Sequence, residues 1–284
     1  MSTIWTDNLR VSFVLPVRDG EATIERAVMS ALTQSLRPLE VIIIDDGSAD
    51  NTWQIISRLA KSFQQIRKIR HRTAIGIVDS LNEGVQRARG ELIARLDHDD
   101  VCWPERLRLQ VPEFAADSKV VIVSGFVEPL FDSAFTAAQI RSGKAFEERR
   151  RRIVNRGDSL AEALREGNLF YHPEVVFRRD VFNAVGGYRN GFSAAEDYDL
   201  FLRMSELGTI AIVPHVILTK SCLSSGISSR MGERQRLAAE LARLCTRLRS
   251  IGMNDSDFIP ASAEELEPKI EAARVALFNL GFEI

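Results

Sequence analysis

Asp97 and Asp99 follow directly on the strand-like, mostly apolar run Leu92–Leu96. In extended chain the side chains of residues i and i+2 point the same way, so this spacing sets two carboxylates side by side. Like charges so placed repel, and one carboxyl takes up a proton unless a cation sits nearby. A divalent ion removes the conflict. Hard oxygen ligands with open water positions suit Mg2+ or Mn2+, with diphosphate oxygens completing the shell. An Asp-rich loop can equally cap the next helix, so the triplet alone does not decide. His98, between the two, points to the other side in extended geometry and reads as a non-ligand.

Two further acidic groups stand at similar places. Asp45-Asp46-Gly47-Ser48 closes the apolar run Val41–Ile44. It can be a tight turn with a helix cap, or it can offer a carboxylate to a ribose hydroxyl or a base N–H, as acidic residues after the second strand do in nucleotide folds. Glu196-Asp197 opens a helical stretch. Acids in a first helical turn favour the macrodipole, which accounts for the pair locally; the chemical alternative is a general base facing a cleft. Neither GxGxxG nor a P-loop follows the first strand, so a pyrophosphate would need another partner, such as a metal on Asp99.

The elements that must position these groups alternate. Val11–Leu15 reads as a buried strand stopping at Pro16. Ile24, Ala27, Val28, Ala31 and Leu32 form one helical face. Val41–Ile44 is apolar on both faces, as in a parallel sheet covered on two sides. Trp53, Ile56, Ala60 and Phe63 mark a second helix that Ser48 or Asp50 could cap. Ile66–Arg70 is a weaker strand, and Val78, Leu81, Val85 and Ala88 a third helix closing at Gly90. After Leu92–Leu96, Pro104 suits a first helical turn, and Val120–Val123 is another buried strand. Residues 11–125 therefore predict a parallel, right-handed, doubly wound sheet. Ligands bind such sheets beyond the carboxyl ends of the strands, where Val17-Arg18-Asp19, Asp45-Asp46 and Asp97–Asp100 converge. Residues 132–168 are polar, basic and loosely helical, and Arg149–Arg152 reads as a solvated helical face. Strand-like runs follow at Ile210–Val213 and Val216–Leu218. Residues 231–284 give two amphipathic helices around a Pro260-containing loop; they could pack on the core or form a homodimer.

The totals are those of a globular protein. The 284 residues are 45% hydrophobic and 27% charged, with a net charge of −2. That suits one large α/β domain, or a core with a small appendage, and gives no global basic excess for nucleic acid. Cys102, Cys222 and Cys245 show no CxxC spacing, so neither a disulfide framework nor a zinc site is readable and a reducing cytoplasm fits. Met1–Arg10 carries no apolar signal core. No stretch approaches the roughly 18 apolar residues of a membrane span. The expected location is cytoplasmic, with peripheral contact at the inner face of the membrane as an option for the basic run.

Five blocks carry a resemblance. They are VSFVLPVRDGEATIERAVMSALTQS, EVIIIDDGSADNT, ARGELIARLDHDD with PERL, HPEVVFRRDVFNAVGGYR, and AEDYDLFLRMSELG. Their order resembles that in family 2 glycosyltransferases of the GT-A fold, and the match covers roughly residues 10–215. The resemblance implies an α/β, Rossmann-like, mostly parallel sheet flanked by helices. It implies a glycosyltransferase domain over residues 1–230, with a nucleotide-binding half at about 10–125, an acceptor half at about 126–230, and a helical extension over 231–284. Pro16, Val17 and Arg18 would lie against the nucleoside, and Asp46, with Asp45, would hold the base or ribose. Asp97 would approach the ribose or metal, and Asp99 would be the main protein ligand of Mn2+ or Mg2+. Asp197 would be the general base. Gly186, Gly187 and Tyr188, with Glu196 beside them, would shape the sugar and acceptor pocket; His172 would order the loop there. The implied reaction is an inverting, hexosyltransferase-type transfer of one sugar from a nucleotide sugar, a UDP-sugar foremost, to a glycan or lipid-linked acceptor in surface polysaccharide or lipopolysaccharide-type synthesis.

One departure stands out. Members often carry a Tyr-Arg-x-His type sequence after the last strand, whose His can reach the metal. Here the stretch reads LTKSCLSSGISSR, and Leu223 falls nearest the His. The QxxRW sequence of processive synthases is also missing, which favours transfer of single sugars. Two competing readings are a nucleotide-sugar-binding protein with impaired catalysis, consistent with the missing His, and a nucleotidyltransferase, for which only Arg18 lies near the first strand.

Overall fold

Continuous apolar runs become the strands at the centre of the molecule. The computed structural model describes residues 9–156, 159–192, 194–222 and 232–282. β1 (Val11–Val17) and β2 (Glu40–Asp45) are buried along their whole length. So is β4 (Leu92–Arg95), as expected of strands covered on both faces. β3 (Ile66–Arg70) lies at the sheet edge and buries only Ile66. Between them run α1 (Ile24–Leu32), α2 (Thr52–Ser62) and α3 (Ile77–Gln86). α1 buries Ile24, Ala27, Val28 and Ala31, the spaced apolar face of its sequence. Asn51, and not Ser48 or Asp50, stands at the N-cap of α2 without a side-chain cap bond, and Asp50, one residue earlier, accepts from Thr52 N at 2.9 Å.

The second half is β5 (Val101–Cys102), α4 (Arg106–Ala116), β6 (Val120–Phe131), α5 (Ala137–Arg156), α6 (Leu160–Glu166), β7 (Val176–Arg178), α7 (Arg179–Ala184), α8 (Glu196–Ser205), β8 (Thr209–Cys222), α9 (Gly232–Ser250) and α10 (Leu266–Asn279). One sheet holds the strands in the order β3-β2-β1-β4-β7-β6-β8-β5. β7 pairs antiparallel with both β4 and β6, and β5 pairs antiparallel with β8. The remaining strands run one way, so the sheet is mostly parallel and the ends of β1, β2, β4, β6 and β8 share one edge. The result is an α/β, mostly parallel sheet flanked by helices, as the resemblance implies.

Two local expectations are corrected. The doubly wound run does not pass from β4 to β6, because β7, from much later in the chain, pairs between them. The runs Ile210–Val213 and Val216–Leu218 are one strand, β8, whose register jumps between the pairs Gly125↔Val213 and Phe126↔Val216. Pro214 lies in that jump, where its missing N–H is tolerated.

The helices bury two apolar clusters against the sheet. Leu241, Leu248, Ile270 and Leu277 of α9 and α10 share a cluster with Leu200, Phe201 and Met204 of α8. The C-terminal helices therefore pack on the core. Ion pairs reinforce the contact: Arg189 reaches Asp255 at 2.9 Å, and Arg249 reaches Glu206 at 2.7 Å.

The arginine run is not uniformly solvated. Arg150 is fully buried, with Glu147 at 2.6 Å and Glu174 at 2.5 Å. A run of like residues hides the one that a helix turns inward. Among the described residues no helix is long and apolar enough to cross a membrane.

Candidate active site

The acidic residues after β4 form a turn. Asp100 N donates to Asp97 O at 3.4 Å. The carboxylates therefore meet because the chain folds back, and not because residues i and i+2 share one face of a strand. The turn also adds Asp100. Each of Asp97, Asp99 and Asp100 offers an oxygen within 4.8 Å of the others. His98 faces α1 instead, its Nδ1 2.9 Å from Thr23 Oγ1.

Two cations attend the carboxylates of the turn, and a third, Arg26, donates from Nη2 to the Asp99 carbonyl oxygen at 3.2 Å. Arg95, almost fully buried, donates from Nη2 to Asp97 Oδ1 at 2.7 Å. Lys220 Nζ, near the end of β8, lies 3.6 Å from Asp100 Oδ2 and 4.0 Å from Asp97 Oδ2. Asp100 Oδ1 accepts from Ser221 N at 2.8 Å, while its buried Oδ2 makes no hydrogen bond.

The charges are unequal. Burial opposes ionisation of Asp97, yet Arg95 and Lys220 outweigh it and hold the carboxyl well below the usual range. Burial, then the charge of Asp97, raises Asp99. Burial is the main cause that pushes Asp100 up to about 7; Lys220 opposes it, and Asp97 and Asp99 add to it. Three mutually repelling hard oxygen donors, one atom of them buried without a partner, fit a divalent cation.

The residues expected to hold the nucleoside line the same edge, on β1 next to β4 and on β2 one strand further. Pro16 and Val17 lie buried inside β1, and Arg18 is exposed just past its end. Asp45 is buried; its Oδ1 accepts from Ser48 N at 3.0 Å, and Arg70 Nε stands 3.4 Å from Oδ2. Asp46 Oδ1 accepts from Ile75 N at 2.8 Å and pairs with His71 Nδ1 at 2.8 Å. Its Oδ2 accepts from Gly76 N at 3.0 Å. A carboxylate has about four acceptor positions, so Asp46 keeps about one for a ligand and uses the rest to order the loop after β3. Gly47, at φ +72°, lets that loop close in: a Cβ there would lie 2.8 Å from Ala74 N. His71 Nε2 also meets Glu83 Oε2 at 2.7 Å, tying the loop to α3. Ser48 Oγ accepts from Asp19 N at 2.9 Å, joining the loops that follow β1 and β2.

Across from the turn, α8 opens with Glu196 and Asp197. Asp197 Oδ1 accepts from Tyr198 N at 2.7 Å, and Asn168 Nδ2 approaches Oδ2 at 3.5 Å. Burial, then the charge of Glu196, pushes Asp197 up to about 7. Burial also raises Glu196, whose Oε2 accepts from Ala194 N at 2.8 Å; Asp97 adds to the rise. His172 Nε2 and the Tyr188 hydroxyl are hydrogen-bonded at 2.7 Å. Burial, with Arg95 next, holds the His172 imidazole well below its ordinary value and keeps it neutral. The charges of Arg95 and Asp97 reach His172, Tyr188 and Glu196 alike. The acidic turn and the start of α8 therefore belong to one electrostatic neighbourhood.

Asn82 of α3 fixes the glycine turn. It donates to Tyr188 O at 3.0 Å and accepts from Tyr188 N at 2.9 Å. Gly187, at φ +71°, makes this possible, since a Cβ there would lie 2.7 Å from Asn82 Oδ1. Gly186 also has positive φ, with open space around it.

Sequence reasoning gave no role to Arg95, Lys220 and Asn82, and named Asp100 only as part of the acidic stretch Asp97–Asp100. Arg95 and Asp100 sit inside a quoted block, next to the residues chosen from it. Lys220 and Asn82 carry no local signal. Leu223, where the family's His is absent, lies outside the described residues.

The sequence model of the family described as Glycosyl transferase family 2 matches residues 12–186. The amylovoran biosynthesis glycosyltransferase AmsE of Erwinia amylovora is 27% identical over 216 residues, 76% of each chain. The mannosyltransferase PcManGT from Pyrobaculum calidifontis, solved with GDP-Man and Mn2+, superposes with a TM-score of 0.65 at 20% identity, over 98% of this chain and 77% of the other. S. aureus TarS 1-349 with UDP-GlcNAc superposes at 0.62 and 15% identity, over 97% and 77%. Both structural likenesses carry the fold.

Proposed function

Because the chain belongs to glycosyl transferase family 2, and is thus a glycosyltransferase, we propose that it moves one sugar from a nucleotide sugar to an acceptor hydroxyl with inversion. The observation that supports this reading is the cluster of Asp97, Asp99 and Asp100, together with the charges of Arg95 and Asp97 that reach Glu196, the neighbour of Asp197 at the start of α8. The donor half spans about residues 10–125, the acceptor half about 126–230, and residues 231–284 form a helical extension.

Asp97, Asp99 and Asp100 would hold a divalent ion, with Asp99 the principal ligand. When bound, such an ion neutralises the charge that develops on the departing nucleoside diphosphate. Asp46 and the loop it orders face the nucleoside. Asp197 accepts the proton of the acceptor hydroxyl. A carboxyl raised towards neutrality is a stronger base than an ordinary one and is still largely ionised just above that pH. Glu196 keeps that carboxyl's proton affinity high, and Asn82, Tyr188 and His172 fix the wall beside it. A single base and a stabilised leaving group suffice for one displacement, so no protein nucleophile is required.

The donor is a UDP- or GDP-sugar, as bound by the two solved neighbours. The acceptor is a growing surface polysaccharide or its lipid-linked precursor, in keeping with the amylovoran enzyme. Incubation with Mn2+ and a panel of UDP-, GDP- and dTDP-sugars tests the reading. Slow release of nucleoside diphosphate from one of them is expected; no release and no thermal shift with any of them would count against it.

A further inference from the structure

Lys220 comes to the acidic turn from the far end of the chain. β8 delivers its ammonium to 3.6 Å from Asp100 Oδ2 and 4.0 Å from Asp97 Oδ2. Its side chain is only 20% exposed, and Nζ stands 5.8 Å above the Tyr171 ring. Neither carboxylate distance is that of a hydrogen bond, and Asp100 Oδ2 has no hydrogen-bond partner. The lysine thus weakens the field of the turn without occupying the oxygen atoms that would ligate an ion.

The charge count gives this arrangement its consequence. Ionised Asp97, Asp99 and Asp100 face Arg95 and Lys220, and the more exposed Arg26 guanidinium lies on the Asp99 carbonyl, so the negative charge of the turn is largely offset before any ion arrives. The attraction of an ion to carboxylates a few ångströms away in a partly buried site is offset in kind by a like charge at the same range. Building on the metal site proposed above, we propose that Lys220 holds the metal affinity of the nucleotide-free turn low, so that the ion is retained only together with the donor's diphosphate. The diphosphate brings the negative charge that Lys220 offsets. Nucleotide and metal then raise each other's affinity by the same factor, as linkage requires.

The test is calorimetric titration of Mn2+ into the wild-type protein, Lys220→Met and Lys220→Arg, with and without UDP or GDP. Without nucleotide, Lys220→Met is expected to bind Mn2+ at least about tenfold tighter than wild type, and its gain on adding nucleotide to shrink. Lys220→Arg, which keeps the charge, is expected to stay within about threefold of wild type. Lys220→Gln is read in the same way should Lys220→Met fold poorly. Equal Mn2+ affinity of wild type and the neutral variants overturns the role of Lys220 while leaving the metal site standing. Failure of every protein to bind Mn2+, even with either nucleotide, removes the metal site itself and this inference with it.

Discussion

Arg95 Nη2 donates to Asp97 Oδ1 at 2.7 Å from a guanidinium that is almost fully buried. The same cation acts on His172, Tyr188 and Glu196. It is the link between the turn after β4 and the start of α8, two segments about a hundred residues apart in sequence.

Replacing Arg95 by Leu should therefore destabilise the fold. It leaves Asp97 part-buried with only Lys220 nearby, and breaking one side of a buried pair costs about 3–5 kcal/mol. Urea unfolding at neutral pH measures this; a loss under about 1 kcal/mol would remove Arg95 from the account.

The pH dependence follows from Asp197, held up to about 7 by burial and then by Glu196. As a base it works ionised, so kcat/KM should climb about tenfold per pH unit below neutrality and level off above about 7. Stability should move the other way. An unfolded carboxyl ionises near 4, whereas Asp197 in the fold stays protonated until about 7. The unfolded chain is thus the one that loses its proton first, and this group's contribution to stability falls as pH rises through that window. Asp197→Asn should gain melting temperature over wild type, and gain more at pH 8 than at pH 4.5. An equal gain at both would contradict the raised value.

Asn82→Ala removes both bonds to the Tyr188 backbone. The loss should cost about 1–3 kcal/mol in thermal unfolding. A lower kcat/KM should accompany it, because the glycine turn beside His172 is freed. Unchanged kinetics with lost stability would make Asn82 purely structural.

Asp99→Ala should abolish the Mn2+-dependent part of the thermal shift produced by UDP or GDP. Any metal-independent part should remain, since the contacts of Asp46 with Ile75 and Gly76 are untouched. A full shift in the variant would move the metal elsewhere.

Much of the donor side was legible in the sequence because its signals are local. β1, β2 and β4 are short, mostly apolar runs with an acidic residue at the end or within two residues after it, and β3 has the bounds read from sequence, Ile66–Arg70. Asp97 and Asp99 were found for a partly mistaken reason: a turn, and not an extended chain, gathers them, and the turn brings Asp100 too. Contacts between distant segments could not be read. Asp100 meets Ser221 across 121 residues, and Asn82 meets Tyr188 across 106. β7 inserts between β4 and β6 through pairings with no local trace. Arg150 is buried because three partners from β6, α5 and the turn before β7 surround it, and a row of four arginines conceals that.

In the proposed reaction Asp197 takes the acceptor's proton while the acidic turn holds the donor. The most direct measurement compares Asp197→Asn with wild type in donor binding and in sugar transfer, with the donor that the panel identifies. An unchanged donor Kd in the presence of Mn2+ and a transfer rate about 10²–10⁴-fold lower are expected. Transfer at the wild-type rate by the folded variant would contradict the proposed reaction.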